Sequence, residues 1–89
     1  MSPNHLASPD IFAVLGDPRR RRILELLAGG DQSVGALTTE LGIAQPSVTQ
    51  HLTTLRDAGL VTFEKRGTSS IYSLVREPLG EVSRWIESL

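Results

Sequence analysis

The fold is decided by the stretch LGIAQPSVTQHLTTLRDAGLV, residues 41–61. Within it Val48, Leu52 and Leu55 recur at i, i+4 and i+7, the spacing of one narrow apolar stripe on a helix. That helix is predicted from Gln45 to Asp57 or Ala58. Gly59 stands where a left-handed C-terminal cap belongs, and Leu60 can fold back on the last turn. Upstream, Gly42-Ile43-Ala44 reads as a three-residue turn. Before it, Val34, Leu37 and Leu41 mark a shorter helix that Ser33 can cap and Gly42 can end. Two helices joined by a short glycine-containing turn make a helix-turn-helix.

Downstream the period changes. Leu60 to Lys65 and Ser70 to Val75 are rich in β-formers, with Arg66-Gly67-Thr68-Ser69 as a short loop between them, so a hairpin is expected. A last helix is predicted to start near Glu77-Pro78, with Leu79, Val82, Ile86 and Leu89 on one face and Trp85 beside it. Upstream, Ser8-Pro9-Asp10 has the chemistry of a helix start, and Ile11, Phe12, Val14 and Leu15 supply that helix's apolar face before Gly16. Asp17-Pro18 repeats the start for a helix carrying Ile23, Leu24, Leu26 and Leu27, stopped by Gly29-Gly30. Residues 1–7 read as a flexible tail and 8–89 as one domain. The expected class is mainly α with a small β-hairpin wing (α+β): four helices, the hairpin and a fifth helix, in a winged helix-turn-helix arrangement.

Opposite the Val48/Leu52/Leu55 stripe lie Ser47, Thr49, Gln50, Thr53 and Thr54, with Gln45 at the helix start. These are uncharged donors and acceptors. Glutamine can bond adenine bidentately, serine and threonine can serve several bases, and a threonine methyl can meet a thymine methyl. A helix facing only solvent more often carries Glu and Lys. The polar positions alone fit a solvated structural face equally well. The hairpin favours nucleic acid, because its tip carries Lys65, Arg66 and Thr68, which suit phosphate or minor-groove contact.

With 89 residues the chain is small enough to need a staple beyond its own core. It has no cysteine, which excludes disulfides and thiolate metal sites, and its two histidines are too few for a histidine cage. Oligomerisation is the remaining staple. Net charge is −1, so basicity is local rather than global: Arg19 to Arg22 form one run, and no acid occurs between Ala44 and Arg56. No signal peptide and no stretch of roughly 18 apolar residues is visible, so a cytoplasmic protein without membrane contact is expected. No Ser-His-acid arrangement points to catalysis.

The run from Phe12 through Tyr72 resembles the ArsR/SmtB family of bacterial repressors, carried by the segments LGDPRRRRILELL (15–27), LGIAQPSVTQHLTTLRDAGLV (41–61) and EKRGTSSIYSL (64–74). The resemblance implies a DNA-binding homodimer on an inverted-repeat operator, with the terminal helices as interface: Ile11, Phe12, Leu15, Leu79, Val82, Trp85, Ile86 and Leu89. It implies base reading by Gln45, Ser47, Thr49 and Gln50. DNA-backbone contact is expected of Thr53, Lys65, Arg66 and Thr68. Arg20, the arginine after Asp-Pro-x, is expected on the DNA backbone or as a tie between helices. His51 is expected half-buried or on a phosphate. Two departures stand out: Ala44 replaces a common capping serine, and Thr38 replaces a common alanine. A Cys-x-Cys metal motif of the family falls on Ser33 and Gly35, and the last helix carries Glu77, Glu81 and Glu87 but no histidine. Neither a metal site nor a cofactor is expected. The inducer, whether a small molecule or a protein, is left open. A protein-interaction module on the same scaffold is the alternative function.

Overall fold

Helix starts follow the capping chemistry of the sequence. The computed structural model describes residues 10–89, so Ser8, Pro9 and the tail expected over residues 1–7 lie outside the described residues. Helix α1 (Ile11–Val14) is capped by Asp10, whose side chain accepts from the Phe12 amide. Asp10, the last residue of the Ser8-Pro9-Asp10 start, is thus the cap itself and stands one residue before the helix. Helix α2 (Pro18–Ala28) is capped by Asp17 with Pro18 in the first position, and α3 (Val34–Leu41) by Ser33. Helix α4 (Gln45–Asp57) follows Ala44, which offers no capping side chain.

At the end of α4 the Gly59 amide donates to the Arg56 carbonyl and the Leu60 amide to the Leu55 carbonyl, both at 2.9 Å. This pair of bonds needs a left-handed residue, and Gly59 supplies it with φ 76°. The chain then turns directly into strand β2 (Val61–Arg66), which pairs antiparallel with β3 (Ser69–Leu74) from Val61↔Leu74 to Arg66↔Ser69. Only Gly67 and Thr68 separate the strands, a tighter turn than the four-residue loop expected. Gly67 has φ 63° and, among the described residues, no non-glycine residue has positive φ, the pattern of a type II′ hairpin turn.

Two features exceed the expected topology. Gln32–Ser33 form a two-residue strand, β1, against β3, so the sheet has three strands in the order β1-β3-β2. The last helix does not start at Glu77-Pro78. A 3-10 turn occupies Glu77–Leu79, and α5 runs over Gly80–Glu87.

The core lies where α2, α3, α4 and the sheet meet. Ile23, Leu37, Val48, Leu52, Leu55 and Leu60 are fully buried, joined by Ile11, Val14, Leu24, Leu27 and Val61. The stripe expected on α4 is therefore its buried face, and it turns the opposite face outward. Ile11 corrects the expected interface: it is buried in the chain's own core, because it opens α1 on the side facing that core. Leu15, Leu79 and Val82 are half-buried against the same core. Phe12, Trp85, Ile86 and Leu89 remain exposed.

Candidate nucleic-acid interface

Helix α4 presents Gln45, Thr49, Gln50 and Thr53 to solvent, with Ser47 half-buried. Its two consecutive threonines use their hydroxyl hydrogens locally. Thr53 Oγ1 donates to the Thr49 carbonyl at 3.0 Å and Thr54 Oγ1 to the Gln50 carbonyl at 3.2 Å. A phosphate oxygen can only accept. In this rotamer Thr53 has no hydrogen to offer one, so the backbone contact expected of it requires rotation about χ1. Its methyl and oxygen lone pairs are what it can present instead.

The hairpin sets Lys65, Arg66 and Thr68 in exposed positions. Strand alternation places Glu64 and Arg66 on the same side, and Arg66 Nε donates to Glu64 Oε1 at 2.7 Å. That hydrogen bond, then the Glu64 charge, pushes the guanidinium's pKa further up, so Arg66 stays cationic while sharing its charge with a neighbour. Glu64 was absent from the sequence reading, although its i, i+2 spacing to Arg66 on a strand is a readable signal.

Helix and hairpin are joined at two places. Near the C-terminus of α4, the Arg56 guanidinium lies 5.1 Å from the Phe63 ring centroid, and Phe63 stacks on Tyr72 with centroids 5.3 Å apart and planes at 26°. Near its N-terminus, Gln45 lines a cleft of about 310 Å³ with Thr68, Ser69 and Ser70 of the hairpin and Ser33, Val34 and Gly35 of α3. Two expected contact residues, Gln45 and Thr68, therefore border one concavity.

Arg20 is placed elsewhere. Its Nε donates to the Val14 carbonyl at 2.7 Å and its Nη2 to the Ala13 carbonyl at 3.4 Å. Its Nη1 lies 3.5 Å from His51 Nδ1 and 3.8 Å from Asp17 Oδ2. All three guanidinium nitrogens face protein. Of the two roles expected of Arg20, this geometry supports the tie between helices and not the DNA-backbone contact. Asp17 completes the cluster. Burial alone would raise its pKa, but amide hydrogen bonds from Arg19 and Arg20 and the charges of His51 and Arg20 leave it lowered.

The positions matching the Cys-x-Cys motif have other tasks. Ser33 Oγ accepts from the Ala36 amide at 3.1 Å as the α3 cap, and Gly35 has no side chain. Among the described residues, no three His, Cys, Asp or Glu side chains could together hold a metal ion. No described helix is long and apolar enough to cross a membrane.

A helix-turn-helix with an uncharged outer face, followed at once by a cation-bearing hairpin, defines the winged helix-turn-helix class. Residues 17–62 match the model of the bacterial regulatory protein family arsR, and the chain belongs to that family of transcriptional regulators. It is 34% identical over 77 residues to the transcriptional repressor SdpR of Bacillus subtilis (strain 168), covering 86% of each chain. It is 35% identical over 74 residues to the arsenical resistance operon repressor of Staphylococcus xylosus, covering 83% of this chain and 71% of that one. The solved structure of an ArsR-like transcriptional regulator from Rhodococcus sp. RHA1 superposes with a TM-score of 0.80 at 33% identity, over 88% of this chain and 72% of the other.

Proposed function

We propose that this regulator is a repressor that binds an inverted-repeat operator as a homodimer and does so without a transition metal. The observation that carries the reading is the uncharged outer face of α4 set beside the hairpin, with Gln45 and Thr68 bordering a common cleft. Gln45, Ser47, Thr49 and Gln50 read base edges, and Lys65, Arg66 and Thr68 hold the backbone.

The dimer rests on the apolar face of α1 and α5. Phe12 and Trp85 meet edge to face with centroids 5.6 Å apart. Ile86 and Leu89, which follow Trp85 in the chain, are 58% and 86% exposed, and exposed apolar surface joined into a patch marks an interaction site. A two-fold axis through this face buries it and sets two reading helices on half-sites about one DNA turn apart, roughly 34–36 Å. Metal independence rests on the donor set: the Cys-x-Cys positions hold Ser33, whose Oγ caps α3, and Gly35, which has no side-chain donor. The protein is expected in the cytoplasm, where its DNA is.

Selection of bound duplexes from a random pool tests the whole reading. An inverted repeat is expected among the selected sequences. Gln50→Ala should then cost about 1–3 kcal/mol and relax preference at one base position. Selection without enrichment, or a Gln50→Ala variant with unchanged preference, refutes the assigned reading face. Sub-micromolar zinc or nickel binding by calorimetry refutes metal independence.

A further inference from the structure

We infer that Arg20 is a positioning residue for operator recognition, tying the reading helix to the short helix that carries the exposed aromatic face, and that it acts through His51. The inference rests on the DNA-reading function proposed above.

Three elements converge on this one side chain. From α2, Arg20 reaches the C-terminal carbonyls of α1 at Val14 and Ala13, and the His51 ring of α4. Its side chain is 19% exposed, so it does not extend into solvent as a phosphate anchor does. Arginine has only donors, so Nη1, 3.5 Å from His51 Nδ1, can bond only the neutral ring that carries its proton on Nε2. His51 directly follows Gln50. The orientation of Gln50 toward a base edge is therefore coupled to a contact anchored on α1, the helix that also holds Phe12 against Trp85. A base contact tolerates little misplacement, whereas a phosphate contact made by a long exposed side chain tolerates much more. Loss of the tie should damage discrimination between sequences more than affinity for DNA in general.

The test uses fluorescence anisotropy over a salt series with two duplexes. One is the duplex that the wild type recovers from a random pool, and the other is a scrambled duplex of equal length. Arg20→Gln and His51→Leu should each lose about tenfold on the selected duplex, with little change on the scrambled one and no change in salt slope. His51→Gln, whose side-chain oxygen can accept from Arg20, should keep most of the discrimination. Arg20→Gln combined with His51→Leu should lose no more than either alone. Melting curves establish that each variant folds, and if Arg20→Gln does not, the His51 pair decides. Equal loss on both duplexes with a salt slope smaller by about one identifies a phosphate contact and overturns the inference. Unchanged discrimination overturns it too, as does a His51→Gln variant as impaired as His51→Leu. Wild-type protein that recovers no duplex from the pool refutes the DNA-reading function itself, and this inference falls with it.

Discussion

Ala44→Ser should stabilise the protein. Residue 44 already has the extended backbone of an N-cap, φ −65° and ψ 142°, with no side chain to cap α4. A serine there needs no backbone change. Its Oγ can accept from one amide in the first turn, that of Ser47, because Pro46 has none. The Ser47 amide is not wholly free, since it donates to the Ala44 carbonyl at 3.0 Å. A cap is typically worth about 0.5–2 kcal/mol, and this partial satisfaction sets the expected gain in the lower half, about 0.5–1 kcal/mol. For a domain of this size that is a rise of about 2–8 °C in melting temperature. Circular dichroism melts at one fixed protein concentration measure it, because a dimer's melting point depends on concentration. Urea titration should show a higher midpoint at unchanged slope. Ala44→Val, which adds bulk and no acceptor, should give no gain. An unchanged or lower melting temperature for Ala44→Ser, or an equal rise for Ala44→Val, refutes the assignment of an unfilled cap.

Three further outcomes are expected. Glu64→Gln, which frees Arg66 from its partner at 2.7 Å, should tighten binding to all DNA sequences at low salt, while Arg66→Ala should weaken it and reduce the salt slope by about one in anisotropy titrations. Trp85→Arg, at an exposed position on the apolar face, should shift the protein toward monomer in sedimentation velocity at micromolar concentration while the isolated fold survives. Asp17 has a folded-state pKa below the ordinary aspartate value of 3.8, so the stability it contributes is present above that value and is lost as pH falls through the folded one. Wild type should therefore exceed Asp17→Asn in urea melts at neutral pH, and the gap should close below pH 3.8.

The parts of the fold written in local chemistry were legible in the residues. Asp17-Pro18, Ser33, the stripe of Val48, Leu52 and Leu55, and Gly59-Leu60 each mark a boundary or a buried face within a few residues of chain, and each does so in the structure. What escaped depends on distant partners. Gln32-Ser33 has no alternating pattern and is a strand only because Tyr72 and Ile71 lie alongside. The proline at 78 suggested a helix start, yet the chain makes a 3-10 turn there before α5 begins at Gly80. Ile11 and Phe12 look alike in sequence, but only one of them faces the core. Within the interface, the polar face of α4 could be read from helical period. The inward hydrogen bonds of Thr53 and Thr54 could not, because rotamers decide them. Arg20 belonged to an obvious basic run, and only the positions of His51 and two carbonyls distinguish it from the exposed arginines beside it.

The stack of Arg56 on Phe63 on Tyr72 works as a gauge block between reading helix and wing. A cation over an aromatic face at a partly exposed site is worth only about 0.5–1 kcal/mol, so its weight in stability is small. Its position matters more. In the proposed DNA complex it sets how far the hairpin tip stands from the outer face of α4, and hence the span along the duplex between the proposed base and phosphate contacts. In that complex, changes to Phe63 retune which backbone step the wing meets while leaving every proposed DNA-contacting side chain as it is.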